Sequence, residues 1–174
     1  MKSHRGFLTV QSEIGNGTAF KVFLPAVTDS SVHAKEPTAP VAPPRGHGEL
    51  ILVVDDEPPI REALVRTLES YNYRCFIAED GSDALALYFA RREEIDVVLT
   101  DLAMAQMDGV QLVRNLRRVD PNVRVVVSSG HIQREVAQEL QSLGVSDLIE
   151  KPYNADQLLR ALQKVIQRAP GMPC

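Results

Sequence analysis

The sequence predicts a doubly wound α/β fold over residues 49–168, and three observations carry that expectation. Five strand-like segments alternate with five helix-like ones, the order that builds a parallel sheet covered on both faces. Three of the strand-like segments are near-continuous apolar runs, as expected of strands buried on both sides. Acidic, hydroxyl and amino side chains stand directly after those strands, where open α/β sheets place their ligands.

Glu49 leads into LILVV, a short β-branched run that reads as the first strand and ends at Asp55-Asp56-Glu57. Pro58 and Pro59 suit the first turn of a helix, and Ile60, Ala63, Leu64, Thr67, Leu68 and Tyr71 recur at helical spacing. RCFIAE (74–79) alternates weakly and reads as the second strand. A helix follows from Gly81 to Arg92, with Ala84, Leu85 and Tyr88 on one side. Asp96 and VVLT form the third strand and deliver Asp101. Val110, Leu112, Val113 and Leu116 mark a helix over 109–118, and NVRVVVSS (122–129) the fourth strand. Gln133 to Leu143 is helical, with Gly144 where a C-terminal glycine is expected. VSDLIE (145–150) is the fifth strand. Asn154 and Gln157 have capping-box spacing, and Leu158, Leu159, Leu162, Val165 and Ile166 mark the last helix.

The chain has 174 residues, 44% hydrophobic and 24% charged, a globular rather than a disordered balance. A net charge of −4 argues against a dedicated nucleic-acid binder, which carries a basic patch or stripe. No apolar run approaches the ~20 residues that span a bilayer, so no direct membrane insertion is expected. MKSHRGFL lacks the apolar core of a signal peptide. Cys75 and Cys174 form neither a disulfide framework nor a metal-ligand spacing. A reduced, cytoplasmic protein is expected.

Residues 26–48 contain Pro37, Pro40, Pro43 and Pro44 among Ala, Ser, Thr and Gly. Without large apolar side chains such a stretch cannot offset the entropy of ordering it, and it reads as a linker with polyproline character. Before it, FLTV and TAFKVFLP read as two strands joined through Ser12–Thr18, with glycines at positive φ in a hairpin turn. About 20 residues cannot build a core of their own.

The residues after the strands define a candidate site. Asp55, Asp56 and Glu57 follow the first strand, Asp101 ends the third, Ser129 ends the fourth, and Lys151-Pro152 follows the fifth. Crowded carboxylates repel one another unless a cation intervenes. Oxygen donors without His or Cys suit Mg²⁺, which keeps several waters. A carboxylate beside Mg²⁺ can attack phosphorus and form an acyl phosphate. Asp101, at the end of a central strand, is the candidate nucleophile. Asp56, with Asp55 behind it, is placed to hold Mg²⁺, while Lys151 and Ser129 are placed to meet phosphoryl oxygens.

Four segments, LVVDDEP (52–58), LTDLAMAQMDG (99–109), VVVSSG (125–130) and EKPY (150–153), make residues 49–168 resemble the receiver domain of two-component response regulators. The resemblance implies a flavodoxin-like sheet of strand order 2-1-3-4-5. It implies acceptance of a phosphoryl group from phosphohistidine with Mg²⁺, followed by slow autohydrolysis. Asp101 is then the phosphoacceptor, Asp55 and Asp56 the acidic pair, Ser129 the switch hydroxyl and Lys151 the lysine. The backbone carbonyl of Ala103 becomes a metal ligand. Ala105 stands where the family usually has proline, and Leu148 where many members carry a switching Tyr or Phe. Ala103 and His131 occupy positions at which the family tunes dephosphorylation.

Residues 6–25, closing on Leu24-Pro25, resemble the last glycine box and final strands of the ATP-binding domain of sensor histidine kinases. Residues 1–25 are accordingly expected to be a remnant of such a domain, 26–48 a linker, 49–168 the receiver and 169–174 a tail. The chain then corresponds to the C-terminal piece of a hybrid histidine kinase. Kinase activity is not expected, because His4, His33 and His47 lie in no dimerisation-helix context. With only APGMPC after Arg168, action is expected through a histidine kinase core or a histidine phosphotransfer protein.

Other functions fit less well. An Asp-nucleophile phosphatase wants a second aspartate two residues after the first, where this chain has Ala103. A flavodoxin-like cofactor binder needs a phosphate-cradling first loop, and Asp55-Asp56-Glu57 would repel the ligand. A docking pseudo-receiver would lack a site residue, and none is missing.

Overall fold

The structure is a computed structural model that describes residues 6–25, 42–145 and 147–168. The chain divides into two units, one within residues 1–41 and one from residue 42 onward. The predicted linker as far as residue 41, the tail 169–174, His4, His33 and Cys174 lie outside the described residues.

The first unit is an antiparallel hairpin of β1 (Phe7–Glu13) and β2 (Gly17–Phe23), in register from Phe7 opposite Phe23 to Glu13 opposite Gly17. Gly15 and Gly17 sit at φ +87° and +88°, the turn conformation expected of them. The Phe7 and Phe23 rings stack with centroids 4.5 Å apart. Alternation puts Leu8, Val10, Phe20 and Val22 on one side, and all four are exposed.

In the second unit, β3 (Leu50–Val54), β5 (Val97–Asp101) and β6 (Val125–Ser129) are buried at every residue, and β4 (Arg74–Ala78) and β7 (Leu148–Glu150) are the edges. All neighbours are parallel in the order β4-β3-β5-β6-β7, the predicted 2-1-3-4-5 arrangement. The helices are α1 (Pro58–Ser70), α2 (Gly81–Arg91), α3 (Gly109–Val119), α4 (Arg134–Ser142) and α5 (Ala155–Gln167). Alternate strand residues feed two cores. Ile51, Val53, Leu99 and Val126 pack with Leu64 and Leu68 of α1 and Leu158, Leu159 and Leu162 of α5. Leu52, Val54, Val98 and Val127 pack with Ala84 and Tyr88 of α2, Leu112 and Leu116 of α3 and Leu140 of α4. Tyr88 keeps its hydroxyl satisfied by donating to Asp120 Oδ2 at 2.9 Å.

Local chemistry sets the helix ends. Asp80 accepts from the N–H groups of Ser82 and Asp83, and Asp108 from that of Gln111. Asn154 and Gln157 form the predicted capping box at α5. No helix among the described residues is long and apolar enough to cross a membrane.

Several boundaries differ from the sequence expectation, among them those of the hairpin, where β1 runs on to Glu13 and β2 starts at Gly17, inside the predicted Ser12–Thr18 connection. β6 starts at Val125 rather than Asn122, because the Asn122 amide is taken by Asp120 Oδ1 (2.8 Å) and that of Val123 by Asp120 O (3.2 Å). β7 starts at Leu148 rather than Val145. The N–H groups of Gly144 and Val145 bond back to Gln141 O and Leu140 O, a Schellman closure of α4 around Gly144 at φ +77°. Residues 42–48, predicted as linker, belong to the second unit. Gly46 donates to Tyr71 O (2.9 Å) and Gly48 to Asn72 O (3.0 Å), and Gly46 lies against the Tyr73 ring, where a Cβ would come within 2.7 Å.

Candidate functional site

Parallel register brings the strand ends to one rim of the sheet. Asp101 pairs with Ser128, and Ser129 with Glu150, so Asp101, Ser129 and Lys151 follow one another across β5, β6 and β7. The Lys151 amide donates to Ser129 O at 2.7 Å and carries the lysine back over the rim. Its Nζ lies 3.0 Å from Asp101 Oδ1 and 3.3 Å from Asp55 Oδ2. Asp55 is 1% exposed and Asp101 8%. Two buried carboxylates therefore share one ammonium, which lies 96 residues beyond Asp55 in the sequence.

Desolvation pulls the Lys151 pKa down, but the close Asp101 carboxylate and the charge and hydrogen bond of Asp55 outweigh it. The net shift is upward, so Lys151 is a cation at neutral pH. Neighbouring Tyr153 is pushed up by burial, against the opposing pull of its Ser128 hydrogen bond and the Lys151 charge.

Asp55 is fully engaged. Its Oδ1 accepts from Glu57 N at 2.9 Å, and its Oδ2 faces the lysine. Asp56, at the rim, accepts through Oδ2 from the backbone N–H of Ala105 at 3.0 Å. Ala103 is exposed in the loop that follows Asp101. The Ser129 hydroxyl is turned into its own loop, donating to His131 O (3.0 Å) and accepting from His131 N (3.3 Å). The structure thus gathers Asp55, Asp101 and Lys151, sets Asp56 beside them, and leaves Ser129 bonded elsewhere.

Among the described residues no group of three or more His, Cys, Asp or Glu side chains is arranged to hold a metal ion by itself. The site nevertheless fits Mg²⁺. Asp101 Oδ1 is buried and makes no aligned hydrogen bond, its close neighbour being the Lys151 ammonium. Asp55, Asp56 and Asp101 outnumber that one cation. A hard, all-oxygen donor set with a charge excess suits an ion that completes its shell with water. Of the expected ligands Asp55, Asp56, Asp101 and the Ala103 carbonyl, the last three are the residues that would hold it directly, because both Asp55 oxygens are already engaged by Glu57 N and Lys151 Nζ.

Sequence reading missed Arg61. Buried in α1, its Nη1 donates to the Asp55 carbonyl at 2.6 Å and its Nη2 reaches Glu79 at 3.3 Å. The signal was a cation on the stripe shared with Leu64 and Leu68. Arg61→Met removes the donor from a buried carbonyl and is expected to destabilise the fold by about 2 kcal/mol, measured by urea denaturation.

Residues 51–163 match the family model for the response regulator receiver domain. The chain belongs to that family. The chain is 31% identical over 174 residues to the sensor kinase CckA of Brucella abortus, a match covering 97% of this chain and 18% of that protein. It is 30% identical over 118 residues to sporulation initiation phosphotransferase F of Bacillus subtilis, covering 68% of this chain and 94% of the relative. Among solved structures, the CheX–CheY–BeF3–Mg²⁺ complex from Borrelia burgdorferi superposes with a TM-score of 0.66 at 26% identity, covering 69% of this chain and 90% of that one. The chain spans less than a fifth of CckA. Receiver domains belong to two-component signalling and interact with histidine kinases or phosphotransfer proteins.

Proposed function

We propose that this receiver accepts a phosphoryl group from a phosphohistidine onto Asp101, in the cytoplasm, and that the acyl phosphate alters what the domain binds. The observation that carries the reading is the Lys151 ammonium set between buried Asp101 and Asp55 at 3.0 and 3.3 Å. An Asp101 carboxylate oxygen attacks phosphorus, the P–N bond breaks, and its electron pair stays on the donor imidazole. Lys151 offsets the negative charge of the incoming phosphoryl oxygens. Asp55 holds the lysine in place, and Arg61 holds the Asp55 loop. Mg²⁺, when bound through Asp56, Asp101 and the Ala103 carbonyl, supplies further neutralisation of phosphoryl charge. The Ser129 hydroxyl exchanges its His131 partners for a phosphoryl oxygen, and that exchange is the switching event. Leu148, half-buried against the α2–α4 core, replaces the aromatic partner of such a switch.

We further propose the division into a kinase-derived hairpin (1–25), a linker that ends at residue 41 rather than at the predicted 48, the receiver with its lead-in from residue 42 to 168, and a tail (169–174). The supporting observation is that the match to the sensor kinase CckA runs over 97% of this chain and so takes in the hairpin as well as the receiver. The donor is then a histidine kinase core or a histidine phosphotransfer protein.

Incubation with acetyl phosphate and Mg²⁺, read by intact mass, is expected to give a single phosphoryl adduct that needs the metal. Asp101→Asn should abolish it while leaving the protein at least as stable as wild type, because one of two carboxylates facing a single ammonium is neutralised. An adduct of undiminished yield in Asp101→Asn overturns the assignment.

A further inference from the structure

The three carboxylates at the rim are held in different ways. Asp55 is fixed by the Glu57 amide and the Lys151 ammonium, and Asp101 stands against the same ammonium. Asp56 is held instead by a backbone N–H 49 residues away, that of Ala105 at 3.0 Å. We infer that the Ala105 amide is the positioning donor for Asp56, fixing one carboxylate oxygen and leaving the other for a cation. The inference rests on the Mg²⁺ site proposed above.

A half-buried aspartate on a loop has rotamer freedom, and a cation ligand must lose it. One fixed hydrogen bond removes that freedom before the ion arrives, while the second oxygen stays available. The donor is itself fixed. The Leu102 amide bonds to Ser128 O (2.9 Å) and the Gly109 amide to Leu102 O (3.0 Å), so the loop starts tied to β6 and closes on its own first residue. Inside it, Ala105 O accepts from Met107 N (2.8 Å), and Gln106 adopts φ +65°, a left-handed conformation that tightens the turn around Ala105. The Met107 side chain is seated against Gly81, where a Cβ would lie 2.8 Å from its sulfur. A proline at position 105 has no N–H to give. The loop after Asp101 thus fastens the acidic loop after β3, and cation occupancy and order in residues 102–108 become linked.

Titration of the full chain with Mg²⁺ by calorimetry tests this. Ala105→Pro should weaken binding about 10–100-fold, the usual cost of losing a partner that orients a metal-binding side chain. Ala105→Ser, which keeps the N–H, should restore an affinity close to that of wild type. In the wild-type protein, hydrogen exchange of the Ala105 amide should slow on Mg²⁺ saturation. That readout needs no variant and decides the matter if Ala105→Pro does not fold. Unchanged affinity in Ala105→Pro, or faster exchange at Ala105 with Mg²⁺, overturns the positioning role and leaves the cation site standing. A wild-type chain that takes up no Mg²⁺ overturns both.

Discussion

Lys151→Met is expected to cost the fold about 3 kcal/mol and to slow phosphoryl transfer by a factor of ~10²–10³. Removing one partner of a buried ion pair leaves the other charge without compensation, and here two carboxylates are left facing each other. Asp55 and Asp101 are almost wholly buried, whereas the lysine is 24% exposed, which places the cost at the lower end of the range for buried pairs. The pH dependence has a definite sign. The folded-state pKa of Lys151 lies above its ordinary 10.5, so its contribution is complete below that pH and is lost as pH climbs through the higher folded value. Urea denaturation should therefore show a constant gap between wild type and Lys151→Met from neutral pH to about 10.5, narrowing above it. A gap that closes between pH 7 and 9 would mean that the ammonium is not held by this pair. The kinetic loss, read from acetyl phosphate uptake, follows from removing the fixed positive charge beside the nucleophile.

Gly109→Ala should be nearly as damaging to the fold, for a steric reason. A Cβ at this position would lie 2.5 Å from the carbonyl oxygen of Asp101 and 2.9 Å from the Cα of Leu102. Both are backbone atoms, which cannot swing aside as the tip of a side chain can. The Leu102 segment is also tied to β6 through Ser128 O. Overpacking against such neighbours is expected to cost about 3 kcal/mol. Because the displaced atoms belong to Asp101, the yield of phosphoryl adduct should fall as well. Gly130→Ala serves as the control. Nothing lies within 4 Å of its added Cβ, so its unfolding free energy should stay within about 0.5 kcal/mol of wild type. Equal stability of the two variants would show that Asp101 and the start of α3 are not packed as described.

The sheet was legible in the sequence because its signals are local and redundant. LILVV, VVLT and VVVSS are buried throughout; the first two are followed by Asp55 and Asp101 and the third ends on Ser129, so a place at a strand end is also a place at the site. Asp101 and Lys151 could thus be paired without coordinates, and the ammonium bridge is where strand order puts it. Less legible were features in which a backbone group serves a neighbour. The amides of Asn122 and Val145 look like strand and are spent on an Asx turn and a helix closure. Gly46 and Gly48 look like linker and bond to the turn after α1. Arg61 was hidden because its buried partner is a carbonyl, which leaves no mark in residue types. Ser129 was assigned by position alone, and a position does not say that its hydroxyl rests on His131. Ala105, read as the loss of a proline, contributes an amide that a proline lacks.

Chemical trapping locates the phosphoryl group directly. An acyl phosphate is reduced by borohydride to the alcohol, so an aspartyl phosphate becomes homoserine, whereas a phosphorylated serine or histidine does not. After incubation with acetyl phosphate and Mg²⁺, borohydride treatment and peptide sequencing should find homoserine at position 101 and aspartate at 55 and 56. Homoserine at another position, or a phosphoryl adduct that borohydride leaves intact, would contradict Asp101 as the acceptor.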